Sequence, residues 1–193
     1  MKKYFFIGSI FIVMLLHSCI SINIQPLSET PGFYSGYHLL SYEDRNNIVF
    51  LKEDEKIANL NIENKVYAIH AKQLQDFMLQ YDSCLVYFWT AHCSGSACIS
   101  PLACQEFCDK NNYQLIMIAD DYHSFPEMYL IMPLIKNPFF AVNANYYKTD
   151  YCNRYKKRFE KELLKNAQNK KQEHGRFLFF VNGKYQRRVS QLF

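Results

Sequence analysis

The sequence predicts an α/β protein with a mixed central sheet, helices on both faces and a C-terminal β-hairpin. Three stretches carry that expectation. Residues 84–121, CLVYFWTAHCSGSACISPLACQEFCDKNNYQLIMIADD, hold two short apolar runs, 84–90 and 113–119, on either side of a helical stretch at 101–111. Runs so rich in aromatic and β-branched residues suit strands covered on both faces, and a helix between two such strands makes a right-handed unit with parallel strands. Residues 177–181 are an apolar run, and Asn182-Gly183, the dipeptide that favours a two-residue hairpin turn, leads into a returning segment at 185–189. Tyr151, Tyr155, Phe159 and Leu163 recur every four residues, the apolar stripe of an amphipathic helix over 150–169.

The elements follow in chain order. Met1-Lys2-Lys3 and the apolar run 4–16 have the form of a secretory signal, and the run is short for a bilayer span. Leu16-His17-Ser18-Cys19 resembles a bacterial lipobox, although His17 is unusual before the small residue. That resemblance implies cleavage after Ser18, acylation of Cys19 and a membrane partner reached through the lipid. The expected organisation is a signal peptide at 1–18, a tether at 19–45 containing Pro26, Pro31, Gly32 and Gly36, and a folded domain at 46–193. The expected location is the bacterial cell envelope, facing the periplasm, since no acidic run follows Cys19. Residues 48–51 and 65–70 read as strands, and 71–81 as a helix with Leu74, Phe77 and Met78 on one face. Ser124 and Pro126 open a short helix at 127–134. Residues 139–142 read either as a brief strand or as a buried connector. The face of the 150–169 helix bearing Arg154, Lys156, Lys157, Arg158, Lys161 and Lys165 reads as solvated.

The 193 residues, 49% hydrophobic and 17% aromatic, suffice for one domain with its own core. A net charge of +4 with no nucleic-acid motif and no phosphate-cradling Gly-rich loop gives no reason to expect a nucleic-acid partner. Of the seven cysteines, Cys93 and Cys98 sit between strand and helix, where a thiolate is favoured by a helix N-terminus. Cys84, Cys104, Cys108 and Cys152 read as small buried apolar residues.

The chain also resembles the thioredoxin superfamily over residues 65–193. Leu85-Val86-Tyr87-Phe88-Trp89 is similar to that family's central strand, Trp89 precedes Cys93 by the family's four residues, and FLFFVNGKYQ resembles its last hairpin. In particular it looks like the membrane-tethered thioredoxin-like lipoproteins of Bacteroides-type bacteria. The resemblance implies a three-layer thioredoxin-like sandwich, no cofactor, and thiol–disulfide exchange with protein thiols and disulfides. Cys93 would be the nucleophile. The electron-donating partner is not specified. Two departures bear on the site. Four residues separate Cys93 from Cys98 where the family has two, and Pro101 sets a register that puts Ser96 at the second-cysteine position. Cys98 is then either a displaced resolving thiol or a neighbour of a lone-thiol Cys-X-X-Ser site. A Cys93–Cys98 bridge is attainable across the Ser-Gly-Ser turn. The family's cis-proline position falls on Gly175, so His174-Gly175-Arg176 replaces X-Pro-Thr and no cis peptide is expected there. The resemblance sets His174 and Arg176 near Cys93, where a cation lowers a thiol pKa; the alternative is that both face solvent. His92 either supports the thiolate or is a turn residue without a role.

Two further readings stay open. One is a non-catalytic binding or assembly module with the Tyr- and Phe-rich stretch 122–150 as its contact surface. The other is a Cu(I) site from Cys93, Cys98 and His174.

Overall fold

The computed structural model describes residues 25–57, 65–93, 95, 98–136, 138–167 and 174–193. The expected signal peptide at 1–18, Cys19 and Ser96 lie outside the described residues. Within them the chain forms α1 (Tyr42–Asn46), β1 (Ile48–Phe50), β2 (Val66–Ile69), α2 (Ala71–Met78) and β3 (Ser83–Trp89). It continues with α3 (Pro101–Asn111), β4 (Gln114–Ala119), α4 (Phe125–Ile131), β5 (Phe139–Val142), α5 (Cys152–Leu163), β6 (Phe177–Val181) and β7 (Lys184–Val189).

The seven strands form one mixed sheet in the order β1-β2-β5-β4-β3-β6-β7. The five strands from β1 to β3 run parallel, and the β6–β7 hairpin adds antiparallel to β3. The α/β class and the mixed sheet are those expected. Asn182 and Gly183 both take positive φ, 48° and 70°, as a tight hairpin turn matched to strand twist requires. The run 139–142 is a strand, and an interior one: it lies between β2 and β4 with all four residues buried.

Register fixes the layers. Phe88, Ile118 and Phe140 are aligned across β3, β4 and β5 and share one face. There Phe77 of α2 meets Phe140 edge-on at 5.7 Å and Phe159 of α5 meets Phe88 at 6.1 Å. Leu85 and Tyr87 point to the other face with Phe179 and Phe177, and Phe107 of α3 meets Phe179 at 6.4 Å. Helices α2 and α5 therefore cover one face and α3 the other. Tyr87, Phe88, Phe139, Phe140, Phe159 and Phe177 are almost wholly buried, each contributing about 1.5–3 kcal/mol by leaving water.

The segment expected as a tether packs against the domain from Phe33 onwards, while most of residues 25–32 are exposed. Phe33 is followed by a bridge between Tyr34 and Tyr151, Ser35 N–H donates to the Asp150 carbonyl at 2.9 Å, and Tyr122 N–H donates to the Ser35 carbonyl. Leu40 is buried. Apolar and aromatic residues interleaved with the prolines and glycines give this strap something to bury, which a flexible linker lacks. The basic face of α5 is only partly solvated. Lys156 pairs with Asp120 at 2.8 Å, Arg154 lies over the Tyr151 ring at 4.4 Å, and Arg158 donates to the Tyr147 carbonyl.

Candidate redox site

Strand β3 delivers the chain to its carboxyl-terminal edge at Trp89, and the connection to α3 carries both site cysteines. Open α/β sheets place their functional groups at this edge, beyond the carboxyl ends of parallel strands. Cys93 and Cys98 form a disulfide with Cα atoms 5.7 Å apart. Both residues are half-buried. The turn is closed by Cys93 N–H donating to the Thr90 carbonyl at 3.4 Å and Cys98 N–H to the Gly95 carbonyl at 2.9 Å. Gly95 N–H donates to Cys98 Sγ at 3.1 Å. Beyond the bridge, Tyr87 Oη donates to the Ile99 carbonyl at 2.7 Å, and Ser100 Oγ caps α3 by accepting from Ala103 N–H at 3.1 Å.

Neither cysteine belongs to the first turn of α3, because the helix begins at Pro101 after its Ser100 cap. The influence of a helix dipole falls off within its first turn. The expected support from the α3 N-terminus is therefore not built by adjacency, and the polar hydrogen offered to Cys98 sulfur comes from Gly95.

The other expected site residues separate into those near the bridge and those that face elsewhere. Trp89 is buried at the end of β3, edge-on to Phe139 at 5.9 Å, and its carbonyl accepts from Asp120 N–H at 2.8 Å. His92 is exposed, with its ring 6.4 Å from that of His123. His174 is exposed. Gly175 has φ of +151°, and a Cβ there would meet the Val189 carbonyl at 2.1 Å; no peptide among the described residues is cis. Close approach of the β7 backbone constrains this position. Arg176 is committed to the Phe88 face: its guanidinium reaches Asp120 at 3.7 Å and the Phe88 carbonyl at 3.4 Å. Asp120 already holds Lys156, so the expected cation beside Cys93 is spent on a carboxylate at the end of β4.

Three residues of the next loop, not anticipated as site groups, complete this edge. Ser124 is fully buried and faces Thr90 and Ala91. Asp121 is buried, which pushes its carboxyl above the usual range. Burial holds the His123 imidazole below its ordinary value, with Asp121 opposing and His92 and His38 reinforcing. Their one sequence cue was position, directly after a parallel strand that neighbours the cysteine-bearing strand.

The remaining described cysteines are inert by comparison. Cys84, Cys104, Cys108 and Cys152 are buried free thiols. Burial pushes Cys84, Cys108 and Cys152 up to about 12 and raises Cys104 further. Among the described residues no group of three or more His, Cys, Asp or Glu side chains is arranged to hold a metal ion. Comparison with known proteins returns no matching family model, no matching curated protein and no matching solved structure.

Proposed function

We propose that this chain is a thiol–disulfide oxidoreductase with a thioredoxin-like domain, tethered in a bacterial envelope through an acylated Cys19. The observation that supports it most directly is a contrast among the cysteines. One pair is bridged and half-exposed at the carboxyl edge of the sheet, while the other four described are buried thiols. A buried thiol with a raised pKa is a poor nucleophile, so exchange is confined to Cys93 and Cys98.

In the reductive direction the Cys93 thiolate attacks a substrate disulfide. A Cys93–substrate bond forms as the substrate S–S bond breaks, and one substrate thiolate leaves. The Cys98 thiolate then attacks Cys93 sulfur, releases the second substrate thiolate and restores the Cys93–Cys98 bond. The substrate gains two electrons, the protein loses two, and an external dithiol must reduce the bridge for another cycle. The reverse sequence oxidises a substrate dithiol. Cys98 serves as the resolving thiol, and the lone-thiol arrangement with Ser96 has less support because the bridge to Cys98 is formed.

Reduction of insulin with dithiothreitol as donor tests the reading. The chain accelerates precipitation of insulin, and Cys93→Ser abolishes the acceleration by a hundredfold or more. A folded, fully reduced wild-type chain that leaves the uncatalysed rate unchanged sinks it. That outcome would favour the binding-module reading, for which the specific observation is the outer side of α4 and the turn after it, where Leu130 and Leu134 are 76% and 61% exposed.

A further inference from the structure

We propose that Ser124, held by Asp121, is a positioning residue for the Cys93–Cys98 bridge: its hydroxyl clamps the turn that leads into Cys93 and keeps the two sulfurs within bonding reach after reduction. This deepens the oxidoreductase reading and takes its functional meaning from it.

Ser124 occupies the N-cap position of α4, where a serine hydroxyl ordinarily accepts from the second or third helical N–H. Here the side chain makes no capping bond. It is turned instead towards the redox turn. Ala91 N–H donates to Ser124 Oγ at 3.0 Å, and Thr90 Oγ1 lies 3.3 Å from it. The Ser124 hydroxyl proton goes to Asp121 Oδ1 at 3.2 Å, and Ser124 N–H donates to the same oxygen at 3.1 Å. One donated proton and two occupied lone pairs exhaust what a serine hydroxyl can do. The helix thus forgoes a cap, and the hydroxyl is fully used two residues before the nucleophile.

The trailing side of the turn is pinned independently by the Tyr87–Ile99 hydrogen bond and the Ser100 cap. Neither anchor depends on the sulfur–sulfur bond. With both ends held, the reduced turn has little freedom to gain, so re-forming the bridge costs little chain entropy. Removing the leading clamp frees the reduced turn while the oxidised turn remains tied through sulfur. The bridge becomes easier to reduce.

The experiment equilibrates the full chain with glutathione redox buffers and measures the oxidised fraction by alkylation. Ser124→Ala is expected to lower the equilibrium constant for bridge formation about tenfold, which for a two-electron couple is about 30 mV towards a less negative potential. Thermal midpoints of both forms accompany it. A clamp predicts that Ser124→Ala destabilises the oxidised form more than the reduced form, whereas a merely structural role lowers both equally. Asp121→Asn keeps the Oδ1 acceptor and is expected to stay within about twofold of wild type, as a geometric clamp requires. If Ser124→Ala does not fold, Thr90→Val at a half-exposed position tests the same clamp, with a smaller shift in the same direction. A folded Ser124→Ala protein within twofold of wild type, or equal destabilisation of the two forms, overturns the proposal. The equilibrium does not depend on turnover, so an inactive wild type with a shifted Ser124→Ala equilibrium defeats the activity and leaves the clamp.

Discussion

Single residues set which sulfurs can react. Burial removes the water that would solvate a thiolate and pushes the Cys84, Cys108 and Cys152 thiols up to about 12. Cys104 lies higher for the same reason. A folded pKa above the unfolded value means the stabilisation is complete below the unfolded thiol value of about 8.5 and is lost as pH rises towards about 12. By pH 10 each such thiol favours the unfolded chain by about 2 kcal/mol, at about 1.36 kcal/mol per pH unit above its unfolded value. Denaturant melts should therefore show stability falling steeply between pH 9 and 11, and replacing Cys104 by Ala should flatten part of that fall. A flat profile over this range would contradict the burial of these thiols. Gly175 illustrates another residue-level constraint. Its positive φ and the Val189 carbonyl leave no room for a side chain, so proline is as excluded there as alanine.

At the scale of elements, the helix caps decide how the disulfide-bearing turn is bounded. Ser100 caps α3 in the ordinary way, and Ser124 does not cap α4. Ser100→Ala should cost about 1 kcal/mol, seen as a fall of roughly 2–4 °C in the melting midpoint for a chain of this size. An unchanged midpoint would mean that Pro101 alone defines the start of α3. Strand β3 has a comparable dual role. Phe88 and Tyr87 anchor opposite faces of the sheet, so the residues that lead to Cys93 are held from both sides.

For the whole molecule, the strap packed from Phe33 to residue 45 sets where any anchor's reach ends. If Cys19 carries lipid, about 14 positions separate it from the packing at Phe33, at most about 50 Å at full extension. Expression in a bacterial host with a labelled fatty acid should label the chain and send it to the membrane fraction, and Cys19→Ala should abolish both. Label that persists in Cys19→Ala would remove the anchor from the proposal.

The strands at 84–90 and 113–119, the α3 stretch and the hairpin were legible because each rests on a local property: a continuous apolar run, a helical period, a dipeptide tolerant of positive φ. The bridge was legible as a possibility, since five positions across a Gly-bearing turn permit it. The placement of Arg176 on Asp120, the strap over Asp150 and Tyr122, and the interior position of β5 were not. Each depends on which strands lie side by side, and a crossover connection sets that order without leaving a periodic trace along the chain. Ser124 shows the difference most plainly. A serine ahead of a short helix would by local preference cap it, and its hydroxyl is instead drawn to Ala91, 33 positions away, because β3 and β4 are neighbours and end together. Local preference specified the elements; adjacency across the sheet, fixed only once the core is packed, chose the partners of the polar groups at its edge.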